Sequence, residues 1–106
     1  MSLLEQGFRK DVGGEVHTQS FTASTAGAAI DIGAFPLKSV QLVDGGSFGG
    51  SADIQVSNDG ANWVTAAGGG TLGAGVLVNI TEDARKARID PTVSAGELIA
   101  IWCLSG

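Results

Sequence analysis

The sequence has little of the material from which catalytic and metal sites are usually built: one cysteine, one histidine and no tyrosine. Cys103 alone cannot form an internal disulfide, and no histidine cluster accompanies it to bind zinc. We therefore expect Cys103 to be a small apolar core residue. His17 lies in a polar stretch without a pattern of nucleophile and base around it, so we expect it at the surface or in an interface.

Charged residues are also few, six basic and eleven acidic, giving a formal net charge of −5. The carboxylates stand singly apart from Glu82-Asp83, so the acid pair of a glycosidase is missing. We expect a protein that is not an enzyme and that needs no cofactor and no metal. The basic residues are too few to follow a run of phosphates, so nucleic acid is not an expected partner. The densest charge cluster, Arg85, Lys86 and Arg88 beside that acidic pair, is a solvated face or a contact for an acidic patch.

Long apolar runs are absent as well. The opening residues MSLLEQGFRKDVGG lack the run of about seven apolar residues that a signal peptide needs. No stretch approaches the eighteen or so that a membrane helix needs. We expect a chain made in the cytosol, with no membrane partner.

Glycine is abundant, at 17 of 106 residues, and it separates short runs in which apolar and polar residues alternate. A period of two is typical of half-buried β-strands. The pattern predicts an all-β domain, an antiparallel β-sandwich of jelly-roll or immunoglobulin-like character with about eight short strands. The strands are expected at about 16–22, 28–32, 37–43, 51–57, 63–66, 76–80, 85–89 and 97–104.

The same alternation predicts which side chains face the core. They are Ile30, Ile32, Val40, Leu42, Ala52, Ile54, Val56, Val76, Val78, Ile80, Ala87, Ile89, Leu98, Ala100, Trp102 and Leu104. The last strand differs from the others because its opposite face, Ile99, Ile101 and Cys103, is apolar too. That second face is covered either by the N-terminal segment or by another subunit. We expect it to be a self-association interface, in a dimer or trimer.

Residues 1–15 form a predicted N-terminal arm, ahead of a β-sandwich domain at 16–106. The arm carries Leu3, Leu4 and Phe8 without a strand or helix period, and it contains the flexible pair Gly13-Gly14. It folds over its own domain or docks on a partner. In the docking interpretation, Leu3, Leu4, Phe8, Arg9 and Lys10 form the partner interface.

The stretch SNDGANW, residues 57–63, predicts a tight turn, because asparagine, aspartate and glycine tolerate left-handed backbone angles. Asn58, Asp59, Asn62 and Trp63 form a possible ligand-binding tip. The oxygen atoms of Asn58, Asp59 and Asn62 are also needed for the turn, which we favour over a calcium site. For Trp63 we expect packing in the core rather than a platform for a sugar ring.

The segment SADIQVSNDGANWVTAAGG resembles the strand-turn-strand element of discoidin-like β-sandwiches, in which a phrase like QVSNDGxNW recurs. A longer stretch, from about Val40 to Leu104, resembles small β-sandwich structural proteins of tailed bacteriophages. The matching pieces are Gly45 to Gly50, Gln55 to Val64, Leu72 to Gly75, Arg85 to Ile89 and Pro91 to Gly96.

This second resemblance implies a virion structural protein, of the capsid decoration or cement type, on the exterior of the head. The implied partner is the major capsid protein. Two alternatives are a carbohydrate-binding or host-adhesion module and a subunit of the tail or baseplate. The discoidin likeness does not carry over a carbohydrate site, because the chain is shorter than such domains and lacks their cysteine pair.

Overall fold

A computed structural model describes residues 14–106 of the chain. These residues form six β-strands: β1 Glu15–Phe21, β2 Ile30–Asp31, β3 Leu37–Ser57, β4 Val64–Thr65, β5 Val76–Asn79 and β6 Lys86–Ser105. All the strands belong to one antiparallel sheet. The prediction of an all-β antiparallel domain is confirmed, whereas the arm predicted at 1–15 lies almost wholly outside the described residues.

The structure has six strands where the sequence predicts about eight, because two pairs of predicted strands are continuous. The segments expected at 37–43 and 51–57 are the two ends of β3, and those expected at 85–89 and 97–104 are the two ends of β6. β3 and β6 pair with each other along their whole length, from Leu37 opposite Ser105 to Ser57 opposite Lys86. This long ladder forms the centre of the sheet, and every other strand pairs with one of its two strands.

The four shorter strands pair with the outer edges of the ladder. β1 lies beside the C-terminal half of β6, and β5 lies beside the N-terminal half of β3. We call β1, the C-terminal half of β6, the N-terminal half of β3 and β5 together the first half-sheet. β2 lies beside the N-terminal half of β6, and β4 lies beside the C-terminal half of β3. We call β2, the N-terminal half of β6, the C-terminal half of β3 and β4 together the second half-sheet.

A bulged region between Asp44 and Gly50 separates the two half-sheets. On one side of it Val40 lies opposite Trp102, and on the other side Ile54 lies opposite Ile89. Across the bulge the pairing of β3 with β6 shifts by one residue. As a result, the β6 side chains that face the core have even numbers near the C-terminus and odd numbers near Lys86. A bulge of this kind adds twist and bends a strand without ending its pairing.

Glycine is required at two points of the bulged region. Gly96 has a φ of 69°, and a Cβ added there would lie 2.2 Å from the carbonyl oxygen of Gly46. Gly50 has a φ of 134°, and its added Cβ would lie 2.0 Å from the carbonyl oxygen of Thr92. Because only glycine lacks a Cβ, these two positions allow the strands to approach so closely.

A proline in the middle of β6 does not interrupt the ladder. Pro91 lies opposite Ala52. The backbone N–H and C=O of Ala52 both bond to Leu72, on the side away from β6. The pair formed by Ala52 and Pro91 is therefore one that exchanges no hydrogen bonds, so the missing N–H of proline costs the ladder nothing.

One core cluster contains the inward side chains of both half-sheets. The members common to the prediction and the structure are Ile32, Val40, Leu42, Ala52, Ile54, Val56, Ile80, Ala87, Ile89, Leu98, Ala100, Trp102 and Leu104. Ile30, Val76 and Val78, also predicted, are partly buried against this cluster, while Phe21, Ala66 and Ala84 join it without having been predicted. The indole N–H of Trp102, a fully buried residue, donates to Gln19 Oε1 at 3.0 Å, so the ring is buried without an unpaired donor.

Candidate functional site

The turn after β3 is held by two side chains, Ser57 and Asp59. The hydroxyl of Ser57 accepts from the backbone N–H groups of Asp59 and Gly60, at 3.2 and 2.9 Å, and donates to Asp59 Oδ1 at 2.9 Å. The same Oδ1 accepts from the N–H groups of Ala61 and Asn62, at 2.9 and 2.8 Å, and Oδ2 accepts from the Asn62 amide at 2.7 Å. Both carboxylate oxygens of Asp59 thus accept hydrogen bonds from groups within the turn.

These hydrogen bonds lower the pKa of Asp59 well below its ordinary value. The backbone N–H of Asn62 has the largest effect, followed by that of Ala61 and then by the Asn62 and Ser57 side chains. Each donor stabilises the ionised carboxylate, so the turn is tied to the negative charge of Asp59.

A cleft of about 600 Å³ lies between this turn and the segment before β6. Its lining combines apolar side chains with three carboxylates: Val56, Ser57, Asn58, Asp59, Asn62, Val64, Glu82, Asp83 and Ala84. Asn58 Oδ1 accepts from the backbone N–H of Arg85 at 3.2 Å, and Glu82 Oε2 accepts from that of Ala67 at 2.7 Å. The cleft therefore brings together three of the four predicted tip residues, Asn58, Asp59 and Asn62.

Trp63 lies elsewhere, and the expectation that it packs in the core is wrong. It is half-buried on the outer surface of the second half-sheet, with its ring 4.3 Å from the guanidinium carbon of Arg88. Arg88 also donates from Nε to Gln55 Oε1 at 2.8 Å. Stacking of arginine on an aromatic ring is favourable, and Gln55 holds the guanidinium in place beneath the indole.

The basic cluster near the start of β6 engages neighbouring polar groups. Lys86 Nζ lies 2.6 Å from Asp31 Oδ1, across the pair of strands β2 and β6. This contact lowers the pKa of Asp31, mainly through the hydrogen bond and then through the positive charge of Lys86. Asp31 is largely exposed, so the pair resembles an ordinary surface ion pair.

His17 lies on β1, where its Nε2 is 2.8 Å from Glu15 Oε1. Both side chains are about half exposed. In the described residues no group of three or more histidine, cysteine, aspartate or glutamate side chains is placed to hold a metal ion. Residues 14–106 contain no helix long and apolar enough to cross a membrane.

The second predicted surface, Ile99, Ile101 and Cys103, lies on the outer face of the first half-sheet. Ile99 and Ile101 are partly buried, and Cys103 is exposed as a free thiol, which corrects the expectation that it is a core residue. Ile99 owes part of its burial to Gly45, where an added Cβ would lie 2.9 Å from the isoleucine side chain. Leu3, Leu4, Phe8, Arg9 and Lys10 lie outside the described residues.

The fold is similar to that of a solved phage-derived protein. It matches the crystal structure of the SPBc2 prophage-derived protein YomS with a TM-score of 0.71, over 93% of this chain and 100% of that chain, at 8% sequence identity. No protein-family profile matches the chain, and a search of curated proteins gives no significant match. At 8% identity the likeness concerns the fold. None of these comparisons shows a discoidin relationship.

Proposed function

We propose that this protein is a non-enzymatic structural component of a tailed-phage virion, a capsid decoration protein bound to the outside of the head. The observation that carries the proposal is the similarity of nearly the whole fold to that of a prophage-derived protein. The resemblance of residues 40–104 to small phage structural proteins points in the same direction.

The proposal also includes the sandwich arrangement of the sheet. Side chains of both half-sheets are fully buried in one cluster, and the described chain has only its own strands and loops to cover them. Gln19 of the first half-sheet donates to the carbonyl of Ala28, close to β2 of the second, at 3.0 Å. Two half-sheets packed face to face account for both observations, as in other β-sandwiches.

A decoration protein of this kind stabilises the head by mass action. It binds the assembled shell but not the separated subunits, so its binding free energy, repeated over many copies, favours the shell. The partner is the major capsid protein, and Leu3, Leu4, Phe8, Arg9 and Lys10 of the N-terminal segment supply the contact. The net charge of −5 suits an exterior position, away from packaged DNA.

A second candidate is a carbohydrate-binding module on the head or tail. The cleft beside Asn58, Asp59 and Asn62 favours it, because ligand sites are concave and combine apolar walls with a few polar groups. Trp63 does not line this cleft and packs on Arg88, so the cleft lacks the aromatic platform that sugar rings prefer. A role in the tail or baseplate would use the same fold.

The test is binding to capsid shells prepared without the protein. The full chain and a variant lacking residues 1–14 are mixed with the shells, and bound protein and the temperature of shell disruption are measured. We expect saturable binding and a higher disruption temperature with the full chain, and loss of both with the shortened chain. Failure of both forms to bind, together with binding to tails or to a glycan array, would replace the capsid role with one of the two alternatives.

A further inference from the structure

The outer face of the first half-sheet carries seven apolar side chains among polar ones, with Thr18 and Gln41 on either side of Ile101. The ladder places Val16 opposite Cys103, and Ile99 and Ile101 two positions apart on the same side of β6. Three further apolar residues lie on this side of β3 and β5: Leu37, Val43 and Leu77. Val16, Leu37 and Leu77 are 67%, 63% and 64% exposed, respectively. We call these seven residues the outer apolar face.

The corresponding surface of the second half-sheet is polar. Its β3 and β6 positions are Ser51, Asp53, Gln55, Lys86, Arg88, Asp90 and Thr92, and Trp63 is already stacked on Arg88. The outer β3 and β6 positions of the first half-sheet are more apolar: Leu37, Val43, Ile99, Ile101 and Cys103 lie there beside Ser39, Gln41, Glu97 and Ser105. Alternating strands normally place polar residues toward water, so the more apolar of the two surfaces is the one better suited to a partner.

The charge distribution favours a second copy of the chain as that partner. Two molecules that each carry −5 repel one another wherever their carboxylates meet. Among the strand residues of the first half-sheet, Glu97 is the charged residue on the outer side. Its carboxylate accepts a hydrogen bond from the Ser20 hydroxyl. Most of the other carboxylates of the described residues lie in the turns or on the second half-sheet, as Asp31, Asp53, Asp59, Glu82, Asp83 and Asp90 do. The outer apolar face is therefore where two copies bring the fewest of the described carboxylates together.

The size of the face sets the strength of this contact. Four strands spaced about 4.8 Å apart, averaging about seven residues of about 3.3 Å, span roughly 19 by 23 Å. Two such faces together bury about 900 Å², somewhat less than the 1,200 Å² or more of stable complexes. The contact is therefore concentration-dependent and becomes extensive only when copies are held close together.

We propose that the outer apolar face binds the same face of a second copy, in a weak dimer whose two-fold axis passes near Ile101. Ile101 lies on β6, an inner strand of the half-sheet, so a two-fold contact brings it close to its counterpart. The proposal does not depend on a capsid role, because it concerns the isolated chain.

The first test compares two substitutions at equally exposed residues. Leu77 on the face and Val64 on the second half-sheet are both 64% exposed, so Leu77→Lys and Val64→Lys carry a similar risk to folding. Sedimentation velocity of the full chain is measured from micromolar to millimolar concentration, without capsid shells. We expect the wild type and Val64→Lys to associate with a common midpoint, and Leu77→Lys to require about tenfold more protein, the loss typical of one leucine contact. Equal midpoints in all three proteins, or monomers throughout, would overturn the proposal.

The second test uses Cys103 as a reporter within the face. In the proposed dimer the two thiols lie within roughly 17 Å of each other, which a long bismaleimide can span. We expect cross-linked dimers whose yield rises with protein concentration and falls in Leu77→Lys, with Cys103→Ser as the blank. Deletion of residues 1–14 should leave the yield unchanged. If Cys103 instead reacts slowly at every concentration, and faster once residues 1–14 are removed, the N-terminal segment covers the face and the dimer is refuted.

Discussion

At the scale of single residues, Asp59 has the clearest measurable consequence, because four hydrogen bonds converge on its carboxylate. Its pKa is lowered in the folded protein, so the stability it contributes is present above the unfolded value of about 3.9 and is lost as the pH falls through the folded value. We expect Asp59→Asn to lower the midpoint of urea unfolding at pH 7 and to flatten its decline between about pH 5 and 2. Unfolding curves at four or five pH values measure both effects.

Asp83→Asn is the matched control for this prediction, since Asp83 lines the same cleft and carries the same charge. It should leave the acid dependence of the wild type in place. A decline with falling pH that is just as steep in Asp59→Asn as in the wild type would show that the turn does not depend on the ionised carboxylate.

The location of Trp63 on the outer surface could not be predicted from the sequence. Its apolar neighbours and its place after a turn suggested the core, but the inward positions of this region are filled by Val56 and Ala87. The ring lies instead on Arg88, a residue 25 positions away whose place is set by the β3–β6 register. Alternation within one strand carries no information about that register, so the stack could not be deduced from the sequence.

At the scale of elements, the glycines of the bulged region keep the long ladder continuous. Gly96→Ala would place a Cβ within 2.3 Å of the carbonyl oxygens of Gly46 and Ser47, at a left-handed φ of 69°. We expect a loss of more than about 2 kcal/mol in the free energy of unfolding, or no folded protein at all. Gly73→Ala is the control, since no atom lies within 4 Å of its added Cβ, and it should change stability by less than about 0.5 kcal/mol. Thermal unfolding of both variants decides the point, and comparable midpoints would contradict it.

The strand positions were largely predictable, whereas their continuity was not. Alternation in β3 and β6 identified the buried rows at Val40, Leu42, Leu98 and Ala100 because one-sided burial leaves a period of two. The glycine-rich segment 45–50 and the proline at 91 are typical of loops, and the sequence pattern predicts both between strands. In the structure a bulge accommodates the first, and a pair without hydrogen bonds accommodates the second. The bulge and the pair without hydrogen bonds are both properties of the pairing between β3 and β6, which the sequence of one strand does not reveal.

At the scale of the whole molecule, β3 and β6 extend through both half-sheets, so the two should unfold together. Ile54 lies in the second half-sheet and Trp102 in the first, and both are fully buried. Ile54→Ala should lower the free energy of unfolding by about 2–5 kcal/mol. The loss should appear equally in Trp102 fluorescence, followed in a Trp63→Phe background, and in far-ultraviolet circular dichroism. Separate transitions for the two signals would mean that the half-sheets unfold independently.

The pairing of β3 with β6 also bears on how quickly the molecule assembles. Even the nearest pair, Ser57 with Lys86, closes a loop of roughly 30 residues, and every other pair of the ladder closes a longer one. No short hairpin is available within this ladder, so its formation requires a search for distant contacts. Refolding should therefore take milliseconds to seconds, as in other sheets with remote contacts, and during that interval the two long strands are open to aggregation.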